Sequence, residues 1–314
     1  MRVVFMGTPE FAVPSLQALI DAGYEIPLVF TQPDKKGNRG KVIPSPVKVL
    51  AESAGIQVAQ PFSLRKEPDA VQLLRDAEPD IIVVAAFGQI LPQEVLDIPK
   101  IDCINVHGSL LPDLRGASPM QAAILRGYDI TGVTIMKMEA GLDTGPMIST
   151  VSCIIDGKNI FEVAEMLANA GAKLLVDTLP SIIDGTALYF AQNDDESTYA
   201  KMIKKTDGMT DFNEPADVLE RKIRAYMDWP TLYSYLDDNQ IRFFAAEPLM
   251  NDKCDGEPGT ISEICKDYFT LNCQEGKLKI LELQAQGKKR MLAGDFLRGH
   301  KLEKGMKFNI KEEI

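Results

Sequence analysis

No two of the five cysteines, Cys103, Cys153, Cys254, Cys265 and Cys273, form a C-x-x-C pair, and their number is odd. A disulfide framework is thereby disfavoured, a zinc site with it, and a reducing cytoplasm is the expected compartment. Positive charge is in deficit: 34 Lys and Arg stand against 45 Asp and Glu, a net charge of -11. A surface that coats nucleic acid or an anionic membrane over its whole extent is excluded, so any polyanion must meet a restricted patch. No apolar run approaches membrane-spanning length, and the start MRVVFMG enters a strand-like run without an h-region or cleavage site. There is no internal repeat. A soluble, unexported chain with no membrane partner is expected. Gly7-Thr8-Pro9 stands where a nucleotide loop would be, yet has neither G-x-G-x-x-G nor G-x-x-x-x-G-K-[ST] spacing, which disfavours a dinucleotide site.

What the chain does have is length and ordinary globular composition: 314 residues, 45% hydrophobic and 25% charged. Two domains are the expectation. In the first half, buried strand patterns at 2–6, 25–32, 57–60, 81–86 and 103–107 alternate with helical patterns at 11–22, 47–54 and 69–77. This is the signature of an α/β, doubly wound, mostly parallel sheet, whose ligands bind beyond the carboxyl ends of the strands. The loop 34–46, DKKGNRGKVIPSP, has no periodicity. It is either a solvated connection or a basic lid in which Arg39 and Lys41 touch an anionic partner.

The chemistry concentrates in DCINVHGSLLPDLRGASP, residues 102–119. Alternation puts Ile104 and Val106 on one face of a strand and Asn105 and His107 on the other. A carboxamide and an imidazole side by side suit a developing oxyanion and a moving proton. Taken alone, the pattern better fits an Asn that ties down a turn and a satisfied buried His. A strand at 131–138 then carries Glu139-Ala140-Gly141-Leu142-Asp143-Thr144-Gly145-Pro146 to a similar position. There Asp143 is either a local turn cap or the carboxylate that orients the imidazole. Leu110 and Leu111 plug the core or wall a planar ligand.

The runs NVHGSLLPDLRGASPMQAAILRG and TGVTIMKMEAGLDTG resemble the catalytic core of the enzymes that transfer a formyl group from 10-formyltetrahydrofolate. FMGTPEFAV, FTQPD, FGQILP, LQAQGKKRM and DFLRGHKL extend the resemblance over nearly the whole chain. It implies a Rossmann-like formyltransferase domain with Asn105, His107 and Asp143 as catalytic trio. It also implies 10-formyltetrahydrofolate as co-substrate, with Ser109, Leu110, Leu111 and Pro112 as its tetrapeptide and Phe87, Gly88 and Ile90 beside them, and no metal. The implied acceptor is the α-amino group of initiator methionyl-tRNA, with Arg39 near the acceptor end. An amino-sugar nucleotide acceptor, or a folate- or RNA-binding module without catalysis, are the alternatives. Asp113 departs from the basic residue many members carry after SLLP.

Beyond a long helix at 160–183, the polar stretch 191–211 separates a domain at 1–190 from one at 212–314. The latter begins with a helix at 214–226 and continues in short strands at 232–236, 240–247, 259–264, 268–272 and 277–284. A small antiparallel barrel is the economical reading, and the resemblance implies an OB-like one that binds tRNA. Near the end Lys277, Lys279, Lys288, Lys289, Arg290, Arg298, Lys301, Lys304 and Lys307 outnumber Glu282, Asp295 and Glu303. This is either a solvated face or a docking stripe in which Lys288, Lys289 and Arg290 meet phosphates. A monomer is expected.

Overall fold

Strands β1 (Val3–Gly7), β2 (Leu28–Phe30), β3 (Gln57–Ala59), β4 (Ile81–Ala85) and β5 (Asp102–His107) run parallel, with helices in the connections between them. The computed structural model describes residues 1–36 and 42–311. After the short strand β6 (Arg115–Gly116) come β7 (Ile130–Lys137), which pairs antiparallel with β5, and β8 (Met147–Ile154), antiparallel with β7. The sheet order is β8-β7-β5-β4-β1-β2-β3. Strand order reverses beside β1, which puts the switch point of the sheet between β1 and β4.

The local causes are plain in the sequence. All five residues of β4, Ile-Ile-Val-Val-Ala, are buried, as are all six of β5. A β-branched run closed in on both faces suits a central parallel strand, and each fully buried Ile or Val contributes about 1.5–3 kcal/mol. Helix α1 (Val13–Asp21) buries Leu16 and Leu19. Helix α2 (Pro46–Ser53) starts where the Ser45 hydroxyl accepts the Lys48 amide N–H at 3.2 Å. Among the described residues no helix is long and apolar enough to cross a membrane.

The chain divides into two compact units. One comprises Met1–Pro119, Ile130–Ile154 and Ala164–Ala200; the other comprises Met120–Asp129, Ile155–Val163 and Lys201–Ile314. The first includes a second small pairing, in which β6 lies parallel to β9 (Tyr199–Ala200). In the second unit the strands β10 (Leu232–Leu236), β11 (Asn239–Leu249), β12 (Ile261–Ile264), β13 (Phe269–Asn272), β14 (Lys277–Ala285), β15 (Met291–Leu292) and β16 (Phe308–Asn309) build an antiparallel, OB-like sheet. Its order is β12-β13-β14-β11-β10-β16, with β15 on β14. Phe212 meets Phe243 edge-on at 5.6 Å and Phe269 stacks on Phe308 at 6.3 Å, giving this sheet an aromatic core. The expected strands are all present here. The pairs β15 and β16 and the helix Ala293–Gly299 were not anticipated, because two residues show no period and Gly294 and Gly299 weaken a helical pattern.

Candidate active site

The pleat of β5 separates its side chains as expected. Val106 faces the helix Ile160–Ile183, where a Cβ on Gly171 would come within 3.0 Å of it. Asn105 and His107 project from the other face, both largely buried. Asp143 meets them there. The Asn105 amide nitrogen lies 3.5 Å from Asp143 Oδ1, and His107 Nδ1 lies 3.7 Å from Asp143 Oδ2. The trio therefore converges on one carboxylate, with gaps slightly too long for closed hydrogen bonds.

Asp143 arrives by a different route from the one expected. Because β7 runs antiparallel to β5, the loop after it leaves beside the start of β5, where the Met138 N–H donates to Cys103 O at 2.7 Å. The loop then folds back along β5 to bring the carboxylate to Asn105 and His107. Two backbone features permit this: Asp143 takes a left-handed φ of 53°, and Gly145 sits where any Cβ would fall 2.0 Å from Lys137 O.

Among the described residues, the short hydrogen bond to the carboxylate comes from the backbone, as the Gly116 N–H donates to Asp143 Oδ2 at 2.9 Å. His107 is held by its far nitrogen: Nε2 lies 3.0 Å from Leu114 O. A carbonyl only accepts, so Nε2 carries the proton and Nδ1 is the nitrogen that faces Asp143. Asp102, at the start of β5, is fixed by Lys137 Nζ and by the Tyr189 hydroxyl, each at 2.6 Å. Burial pushes the Tyr189 hydroxyl up, and Asp102 adds to the effect; burial likewise pushes the Cys103 thiol up.

The residues expected around the folate divide. Ser109 is fully buried and donates to Asp113 O at 2.7 Å, Leu111 is buried with its N–H on Thr134 Oγ1 at 3.1 Å, and Phe87 belongs to the sheet core with Val4, Met6 and Phe30. These three side chains are turned inward and shape the loops from inside. Gly88 and Ile90 are exposed, and Leu110 and Pro112 half-buried. Asp113 is taken up by the Thr198 hydroxyl, which also accepts the Leu114 N–H at 3.0 Å.

Of the residues expected on tRNA, Arg39 and Lys41 lie outside the described residues. Lys288, Lys289 and Arg290 are exposed, but Arg290 forks onto Glu282, 2.6 Å from Nε to Oε1, and lies 4.6 Å above the Phe244 ring. Much of the basic excess is cancelled by acids distant in sequence: Lys279 pairs with Glu247 at 2.8 Å, Lys304 with Asp255 at 2.7 Å and Lys307 with Glu257 at 2.6 Å. Counting along the segment overlooked these partners.

Gly116 was also overlooked as a site residue. A glycine in LRGASP was its only signal; its φ is 114°, and a Cβ would fall 2.6 Å from Ala200 O.

An Asn, His and Asp gathered on a mostly parallel α/β sheet are equipment suited to acyl transfer: donors for an oxyanion and a carboxylate for a proton. A family model described as formyl transferase matches residues 1–179, and one described as formyl transferase, C-terminal domain, matches 202–301. The chain belongs to this family, and within it to the methionyl-tRNA formyltransferases. The protein of that name from Magnetococcus marinus is 47% identical over 97% of both chains, and that from Agathobacter rectalis 46% identical over 99% of this chain and 100% of its own. Among solved structures, an N-formyltransferase from Helicobacter canadensis, in complex with folinic acid and dTDP-3-aminofucose, shares the fold at a TM-score of 0.66 and 20% identity, over 88% of this chain and 98% of its own. HypX from Aquifex aeolicus, in complex with tetrahydrofolic acid, does so at 0.65 and 17%, this chain spanning 51% of it.

Proposed function

We propose that this chain moves the formyl group of 10-formyltetrahydrofolate onto the α-amino group of initiator methionyl-tRNA, with Asn105, His107 and Asp143 around the reacting carbon. The single observation that carries the chemistry is the open trio: a carboxamide and an imidazole face the two oxygens of one carboxylate across 3.5 and 3.7 Å. Substrate identity is supported by relatives 42–47% identical over nearly the full chain, all named methionyl-tRNA formyltransferase. The two folate-bound neighbours support the donor.

The amine nitrogen attacks the formyl carbon, forming a C–N bond and a tetrahedral oxyanion. The Asn105 N–H and, when the ring is charged, His107 Nδ1–H donate to that oxygen. Asp143 stabilises the imidazolium and receives the amine proton, directly or through water. Collapse breaks the bond from carbon to folate N10, which takes up a proton, leaving tetrahydrofolate and the formylated amine. The amine is itself the nucleophile, so no residue forms a covalent intermediate. Gly88, Ile90, Leu110 and Pro112 are the folate contacts in this reading, and Lys288 and Lys289 the tRNA contacts. A cytoplasmic enzyme fits five cysteines that are all free.

Incubation of the protein with 10-formyltetrahydrofolate and charged initiator tRNA is expected to give formylmethionyl-tRNA and tetrahydrofolate in equal amounts. Formylation of an amino-sugar nucleotide with none of methionyl-tRNA would overturn the acceptor, and donor consumption without either acceptor would overturn transfer.

A further inference from the structure

We infer that Gln192 is a positioning residue for formyl transfer, acting through Asp143 as part of a clamp with Arg115. This rests on the assignment of Asp143 to the reaction. The Gln192 amide nitrogen donates to Asp143 O at 2.8 Å and to Gly145 O at 2.7 Å, and its oxygen accepts the Arg115 Nε–H at 2.9 Å. The orientation of the amide follows from its neighbours, because two carbonyls only accept and a guanidinium only donates. Both N–H bonds are thereby spent on one loop.

Arg115 is buried, 8% exposed, and is fixed from a second side by Asp194 at 2.8 Å. Its backbone N–H donates to Thr198 O at 2.9 Å, and the next N–H in the chain, that of Gly116, holds the Asp143 carboxylate. The two ends of Asp143 are thus gripped from one two-residue strand: the carboxylate by Gly116 and the main-chain carbonyl, through Gln192, by Arg115.

The grip matters because Asp143 has a left-handed φ of 53°, a conformation that costs a non-glycine residue free energy and persists only where its surroundings impose it. The direction of the Asp143 carbonyl reports its ψ, so a bond to that oxygen fixes the backbone from which the carboxylate projects. With Gly145 O held by the same amide, the turn is secured on both sides of Thr144. Released, Asp143 relaxes toward ordinary dihedral angles and its carboxylate leaves Asn105 and His107.

Displacement of a reacting group by about 1 Å costs about a hundredfold in rate. Gln192→Ala is therefore expected to lower kcat by about ten- to a hundredfold, with KM for donor and acceptor each within about twofold of the parent. Gln192→Glu, which keeps the volume and the Arg115 partner but turns an acceptor on both carbonyls, should lose at least as much. The deciding measurement is the double variant: in an Asp143→Asn background, Gln192→Ala should add almost nothing. Parent-like kcat in both Gln192 variants, a loss confined to KM, or a full multiplicative loss on top of Asp143→Asn would each overturn the inference. Failure of the parent to formylate methionyl-tRNA would instead strike the proposed function, so the two are separable.

Discussion

The Gly116 N–H reaches the Asp143 carboxylate at 2.9 Å across 27 residues of sequence, and no side chain fits at position 116. A Cβ there would lie 2.6 Å from both Ala200 O and the Tyr199 ring, on a backbone with φ of 114°. One residue is therefore fixed by the pairing of β6 with β9 and, through its N–H, fixes the carboxylate of the site. Gly116→Ala is expected to cost about 2–3 kcal/mol, from strain and overpacking together, and to lower turnover in the protein that remains folded. Urea unfolding and kcat measured on the same preparation check both effects.

Asn105→Ala and His107→Ala are each expected to slow formyl transfer by about a hundredfold or more, the loss attached to one oxyanion donor. Single-turnover rates with bound substrates are the measurement. Near-parent rates in both variants would remove the trio.

Lys288 and Lys289 are exposed, whereas Arg290 is already forked onto Glu282, which raises the guanidinium pKa further. Replacing both lysines by Ala should raise KM for tRNA and reduce its salt slope by about two, while Arg290→Ala alone should change the slope by less. KM for tRNA followed across a salt series separates the two. Equal effects would mean that the Glu282 fork opens for phosphate.

Hydrogen bonds from Lys48, first, and Gln60 hold the Asp34 carboxyl below its usual value. Lys48 Nζ lies 2.7 Å from it, and Gln60 Nε2 lies 2.7 Å from the other oxygen. A carboxyl with a depressed folded-state pKa stabilises the fold fully above its unfolded value and loses that contribution as pH falls through the folded one. Asp34→Asn should therefore lower the urea midpoint at neutral pH, and the deficit should shrink below about pH 4. Midpoints for parent and variant at neutral pH and about pH 3 check the sign.

Elements with a strong period were legible without coordinates. The β-branched run of β4, the alternation that sends Asn105 and His107 to one face of β5, and the apolar stripe of Ile160–Ile183 are local patterns, and local patterns determine strands and helices. Asn105, His107 and Asp143 were also singled out by their residue types, and the fold brings these three side chains together.

Direction, partners and grip were decided only by the tertiary structure. Strand polarity leaves no mark on a pattern of period two, so the antiparallel course of β7, and with it the way Asp143 reaches His107, was hidden. The inward turn of Ser109, Leu111 and Phe87 depends on what surrounds them, and composition is silent about that. The neutralisation of Lys279, Lys304 and Lys307 comes from acids 32 to 50 residues away. Gln192 lay in a stretch legible only as polar, yet its three hydrogen bonds exist because the chain returns there after the long helix. Sequence determined which groups this protein can bring to a formyl carbon; folding decided which atoms face one another, because contact between residues far apart in the chain is a property of packing.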